Sequence, residues 1–284
     1  MTVSEKLLPL DRRQFLILAS SVWPLMTAHA GLASESSMSE SITGSSPRIL
    51  SLNLLTSATM AEMKAFYHGK LGLEISDERP DRITVHAGLT PITFVKAESS
   101  ETKPFYHFAF NIPENKILAA YNWQKERTPL LPIPESLRDS KYPNDVVNYS
   151  HWNAHSVFFF DPGGNVVEYI ARHDLKNPAG GGFSSKDILY ASEIAFVVDD
   201  VASTATKLQQ AVGIEQYRGS SDQFAALGDE HGLLLVMKRG RVISFEAMQK
   251  KAVTVYRTEA QVTGAKQAKY AIPAFPYELS IEKH

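Results

Sequence analysis

A strand, a helix and then three short strands recur along this chain, and that repetition limits the fold more than any other feature of the sequence. Arg48 to Thr56 (RILSLNLLT) reads as a strand, and roughly Ala58 to Leu71 as an amphipathic helix with Met60, Met63, Phe66, Tyr67 and Leu71 on one face. Leu73 to Asp77, Arg82 to His86 and Pro91 to Lys96 follow as strands separated by turn residues. The order starts again at Tyr106 to Ile112, with a helix near Asn115 to Lys125, a Pro-rich stretch from Thr128 to Tyr149, and strands at Ser156 to Phe160 and Asn165 to Ala171. A third start follows at SEIAFVVDD, with a helix over Val201 to Val212 and strands near Gln216 to Arg218, Phe224 to Leu227 and Leu233 to Lys238. The opening strands HFAFNIPEN, from His107, and EIAFVVDDV, from Glu193, align without a gap. One supersecondary unit used repeatedly is the simplest account.

The first thirty residues stand apart from this pattern. Arg12-Arg13 precedes an apolar run from Phe15 to Met26 and a small-x-small site at Ala28-His29-Ala30. This is the layout of an export signal, and the run is too short to span a membrane. The Arg-Arg-x-Phe-Leu order resembles a twin-arginine signal, with Asp11 and Ile17 off its usual pattern. Residues 31–47 read as a Ser-rich spacer. The expected mature protein is therefore periplasmic or secreted, and free of the membrane once the signal is removed.

Composition then excludes several functions. Net charge is −2 with no basic stripe, which argues against nucleic-acid binding. The chain contains no cysteine, so disulfides, thiolate metal sites and thiol nucleophiles are ruled out.

One strand poses a question of its own. In DPGGNVVEYI, Asp161 to Asn165 is turn chemistry and Val166 to Ile170 an apolar strand, yet Glu168 sits inside it. A carboxylate on a covered face costs several kcal/mol unless it is paired, hydrogen-bonded or bound to a metal.

The βαβββ order, the helix end FYHGKLGLE (Phe66 to Glu74), the strand YHFAF and the closure DPGGNVVEY together resemble the vicinal oxygen chelate superfamily over Arg48 to about Arg239. That group includes glyoxalase I, fosfomycin- and bleomycin-resistance proteins and extradiol ring-cleaving dioxygenases. The resemblance implies an α+β fold in which two units pair into a cupped half-barrel around a divalent metal. On this reading residues 48–175 form the paired domain, 176–187 a linker, and 188–284 a third unit with C-terminal strands forming a second half-domain. Those strands, or a second chain in a homodimer, would complete the third unit.

The resemblance also suggests site residues. His107 and Glu168 occupy two ligand places, while Ser51 and Thr93 stand where relatives carry His or a carboxylate. A His and a carboxylate suit Fe, Mn, Zn or Ni, with no organic cofactor. His155 is the candidate third ligand or general base, and Tyr106, His151, Trp152, Ser51 and Thr93 are candidate substrate contacts. Glu193 falls in the place of His107 and Leu235 near that of Glu168, and no metal is expected in the third unit. GDEHG (Gly228 to Gly232) reads as a hairpin turn. Two functions follow: a metal-dependent lyase or ring-cleaving dioxygenase acting on a small molecule with adjacent oxygens, or a metal-free small-molecule binder of the bleomycin-resistance kind.

Overall fold

A computed structural model describes residues 46–99, 103–242 and 252–284. The segment read as an export signal, and nearly all of the stretch read as a spacer, lie outside these residues. Unit one comprises β1 (Ile49–Thr56), α1 (Met60–Lys64), β2 (Glu74–Arg79), β3 (Arg82–Ala87) and β4 (Thr90–Lys96). Unit two comprises β5 (His107–Ile112), α2 (Ile117–Lys125), β6 (Val147–Tyr149), β7 (Ala154–Phe160) and β8 (Val166–Arg172). Unit three comprises β9 (Tyr190–Val198), α3 (Val201–Leu208), β10 (Gln216–Ser220), β11 (Phe224–Asp229) and β12 (Gly232–Lys238). Three strands follow: β13 (Thr258–Gly264), β14 (Ala268–Ala271) and β15 (Tyr277–Lys283).

Local chemistry fixes the element boundaries. Thr59 and Glu62 close a capping box at the start of α1, and Asp200 accepts from Ser203 N at the start of α3. Asp229 and Gly232 pair across the two-residue loop of the β11–β12 hairpin, where the sequence places that turn.

In every unit the first strand lies parallel beside the last: β1 with β4, β5 with β8, and β9 with β12. β13 and β15 repeat this relation, so the C-terminal strands are a shortened fourth unit with no helix between β13 and β14. Opening strands then pair antiparallel, β5 with β9 and β1 with β13. The result is an eight-stranded sheet built from units two and three, and a seven-stranded sheet built from unit one and the C-terminal strands.

The α+β architecture of βαβββ units is therefore as expected, but the partners differ. Unit two shares its sheet with unit three, not with unit one. Every unit opens on the same kind of strand edge, so the strand pattern alone does not choose among partners. The third unit is completed within the chain, which removes the argument that it needs a second copy.

Alternate residues of each strand divide between two environments. Leu52, Leu54 and Phe94 of one sheet pack with Phe108, Phe110, Val167 and Tyr169 of the other, and Met63 of α1 joins this shared core with Phe66 and Tyr67 of the helical turn that follows, Ala65–Lys70. Burying each such side chain is worth about 1.5–3 kcal/mol. Two tyrosines stitch the sheets together: Tyr106 Oη accepts from Leu55 N (3.1 Å), and Tyr277 Oη donates to Val197 O (2.8 Å). The linker is tied down as well. Buried Lys116 donates from Nζ to the carbonyls of Gly180, Gly181 and Gly182 at 2.6, 2.7 and 2.8 Å.

The opposite faces of the two sheets differ in character. On the seven-stranded sheet the face is half-buried and polar: Ser51 meets Gln261, Asn53 meets Glu259 and Thr84 meets Thr93. On the eight-stranded sheet it is an apolar cup containing Ala109, Phe158, Ile170, Ala195 and Leu235. Leu131 and Ile133 of the Pro-rich stretch cover this cup together with Val253. Among the described residues no helix is long and apolar enough to cross a membrane.

Candidate metal centre

Strand parity puts three titratable side chains at the middle of that cup. On β5, Phe108 and Phe110 face the shared core, so His107 and Ala109 face the cup. On β8, Val167, Tyr169 and Ala171 face the core, so Val166, Glu168, Ile170 and Arg172 face the cup. On β9 the register slips by one residue between Ala191 and Glu193. This bulge places Glu193 on the cup face although Ala191 lies on the other.

The DPGGN turn fixes the start of β8. Asp161 Oδ1 accepts from Asn165 N (2.9 Å), its Oδ2 accepts from Tyr67 Oη (2.8 Å), and Asn165 Oδ1 accepts from Tyr106 N (2.8 Å). Gly164 has φ +81°, which favours glycine, and a Cβ at Gly163 would lie 2.8 Å from Thr56 Oγ1. Turn and strand are thereby held against both β5 and unit one.

Ligand-capable atoms of His107, Glu168 and Glu193 lie within 4.8 Å of one another. His107 Nε2 is 3.4 Å from Glu168 Oε2 and 3.7 Å from Glu193 Oε2. Its Nδ1 lies 3.1 Å from Val166 O; a proton placed on Nδ1 leaves the Nε2 lone pair facing both carboxylates. Arg172 donates from Nη2 to Glu193 Oε1 and from Nε to Asn111 Oδ1. Among the described residues Glu168 Oε1 is buried without a hydrogen-bond partner, and the Ser156 hydroxyl faces the carboxyl.

The electrostatics follow from this crowding. Burial, then the charge of Glu193, pushes the Glu168 carboxyl up to about 8, against the pull of His107. Burial lowers the His107 pKa, but Glu193 and Glu168 outweigh it and the net direction is upward. Such a cluster holds extra protons when empty and releases them to a cation.

Comparisons with known proteins bear on the fold. Residues 48–169 match the Glyoxalase/Bleomycin resistance protein/Dioxygenase superfamily. Over that segment the sequence carries the pattern of the vicinal oxygen chelate superfamily. No curated protein matches the chain. It is similar to the structure of a proposed dioxygenase from Bacillus subtilis, with TM-score 0.53 and 14% identity over 83% of this chain and 84% of that one. It is also similar to glyoxalase I from Zea mays, with TM-score 0.46 and 12% identity over 83% and 92%. A glyoxalase/bleomycin resistance protein/dioxygenase from Nocardioides has TM-score 0.35 and 22% identity over 50% and 93%. At these identities the likeness is one of fold.

Within this vicinal-oxygen-chelate fold the two sheets carry different site residues. Register puts Ser51, Thr93, Glu259 and Ser280 of the seven-stranded sheet where the cup has His107, Glu168, Glu193 and Leu235. Glu259 is taken up by Arg257 (2.9 Å) and Asn53 (2.9 Å), and the remaining three are hydroxyl side chains. Ser51 and Thr93 therefore sit on a different sheet from His107 and Glu168.

The other sequence candidates divide as follows. Trp152 is in the cup, its ring 5.7 Å from the Arg172 guanidinium. His151 is exposed at the rim, 5.7 Å from Trp152 by ring centres. Tyr106 lines a narrow pocket with His107, Ala195, Val253 and Tyr256, with room for about one water. His155 does not reach the centre. Phe158 pairs with Glu168 across β7 and β8, and His155, three residues away, points to the opposite face. There it meets His173 (2.8 Å) and Asp139 (3.6 Å).

Glu193 and Arg172 complete the centre and were not among the sequence candidates. The gapless alignment of HFAFN with EIAFV was the available signal for Glu193, since it places that residue where His107 stands.

Proposed function

We propose that the cup of units two and three is a divalent-metal site and that the protein is an enzyme acting on a small molecule with adjacent oxygens. The observation that carries this is the buried His107–Glu168–Glu193 cluster with its unpartnered Glu168 oxygen. A neutral imidazole and two carboxylates are the donor set of Fe(II), Mn(II), Zn or Ni. A buried acceptor without a donor is otherwise rare. The fourth place is Leu235, so no protein ligand competes there with a substrate oxygen.

A bound cation supplies Lewis-acid chemistry, holding two neighbouring substrate oxygens and stabilising the negative charge that develops on them. The rest belongs to the chain. His107 offers Nε2 because Val166 O takes the Nδ1 proton. Glu193 offers one oxygen because Arg172 holds the other. Glu168, with its raised pKa in the empty cup, gives up its proton when it takes a cation. Leu131, Ile133 and Val253 keep bulk water away.

A second reading is a metal-free binding protein of the bleomycin-resistance kind. Arg172 supports it, since its charge already offsets one of the two carboxylates. In either case the protein acts outside the cytoplasm, a reading supported by the Arg12-Arg13 leader.

Cobalt(II) substitution tests the first reading. The visible d–d bands of a His and two carboxylate ligands should appear at one equivalent and shift with oxalate, a bidentate oxygen donor. A spectrum identical to free cobalt at every ratio would contradict it.

A further inference from the structure

Among the described residues, three buried polar atoms without partners lie on the cup face around Glu168. They are Trp152 Nε1, Arg172 Nη1 and Arg241 Nη1. All three are donors. Trp152 and Arg172 are at least nine-tenths buried. Folded proteins rarely leave such atoms unmatched, so their clustering calls for a ligand rich in acceptors.

Arg241 is a cation of the cup without an ion-pair partner among the described residues. Its guanidinium lies over Phe224 at 4.9 Å. Phe224 is 6.5 Å from Trp152 by ring centres, and Trp152 is 5.7 Å from Tyr149. Tyr149 connects the two ends of the cup: after burial, Glu168 and Glu193 raise its pKa while Arg241 lowers it. Arg172, by contrast, is engaged with Glu193 and Asn111.

Charge points the same way. With a divalent ion bound and both carboxylates ionised, the ion, the two carboxylates and Arg172 sum to a single positive charge, and Arg241 adds another. In a covered cup this excess needs a counter-charge from the ligand.

We propose that the cup selects small dianions, which present two adjacent oxygens to the metal centre and a separate carboxylate to Arg241. Arg241 is then a specificity-determining residue, and Trp152 Nε1 and Arg172 Nη1 donate to the oxygens between. This inference rests on the metal-centre reading, and the test separates the two.

Zinc-loaded protein is titrated calorimetrically with malate, 2-hydroxyglutarate and lactate, and zinc content is measured on the same samples. All three share a chelating hydroxy-carboxylate end, and only lactate lacks the second carboxylate. The expected result is at least tenfold tighter binding of one diacid than of lactate. Arg241→Gln should remove that advantage and leave lactate within threefold, and Arg241→Lys should restore part of it. Equal affinities in the unaltered protein, an advantage that survives Arg241→Gln, or no binding of any probe would overturn the inference. Zinc absent, with the Arg241-dependent preference intact, would sink the metal reading and leave the carboxylate site standing.

Discussion

Arg172 donates from Nη2 to Glu193 Oε1, and both side chains are almost wholly buried. This pair dictates which oxygen of Glu193 faces His107. Losing the guanidinium would leave a carboxylate buried beside Glu168 without its counter-charge. Arg172→Met should therefore lower unfolding stability by about 3–5 kcal/mol. The double variant Arg172→Met/Glu193→Gln should recover much of that loss in urea denaturation. Metal affinity in the single variant should fall about 10–100-fold, because the partner that orients the ligand is gone.

Protonation of Glu168 gives the empty site a pH signature. Its folded pKa, about 8, lies above the unfolded value of 4.5, so the folded state binds more protons between those limits. Stability from this group is present at low pH and is lost as pH rises toward 8. His107, also raised, acts in the same direction, while His151, His155 and His231, lowered by burial, oppose it up to about pH 6.5. Comparison with Glu168→Gln isolates the carboxylate. In chelator-treated protein the variant should gain on the parent from pH 5 to pH 8, by up to about 3 kcal/mol. Divalent metal should stabilise the parent more at pH 8 than at pH 5, since binding displaces those protons. Thermal melts at the two pH values, with and without metal, check both trends.

The DPGGN turn holds the strand that carries Glu168. Asp161→Ala removes acceptors for Asn165 N, Asn165 Nδ2 and Tyr67 Oη at once. A loss of about 2–4 kcal/mol is expected, because the buried amide and hydroxyl donors are left unmatched. Burial raises the Asp161 pKa, although Asn165 and Tyr67 pull it down. Asp161→Asn, which keeps one acceptor oxygen, should cost less than Asp161→Ala in the same denaturation assay.

His155 lies behind the sheet, where Tyr142 packs on its ring at 4.2 Å and Asp139 pairs with it. Both partners belong to the Pro-rich stretch that covers the cup. His155→Ala should leave metal stoichiometry unchanged and speed proteolysis within 128–149. Loss of metal in this variant would show that the two faces of the sheet are not separate.

Parity explains what could and could not be seen in advance. Within a strand the alternation is fixed, so Val167 and Tyr169 already place Glu168 on the face away from the core. Between strands the parity depends on register, and nothing in HWNAHSVFFFD states that Phe158, and not His155, lies opposite Glu168. Glu193 was aligned with His107 from the sequence, but its role depends on units two and three sharing a sheet. A shortened fourth unit concealed that arrangement, because without a helix it does not read as a repeat. Arg172 was out of reach for another reason: its partner is 21 residues away, past a linker and a bulge that re-aims Glu193.

The central claim is that His107, Glu168 and Glu193 hold one cation. Elemental analysis of protein isolated without chelator, beside His107→Ala, Glu168→Ala and Glu193→Gln, tests it most directly. The account predicts close to one equivalent of Fe, Mn, Zn or Ni in the parent and a large loss in each variant, with His155→Ala unaffected. A folded parent that stays free of metal after incubation with each of these ions would contradict it.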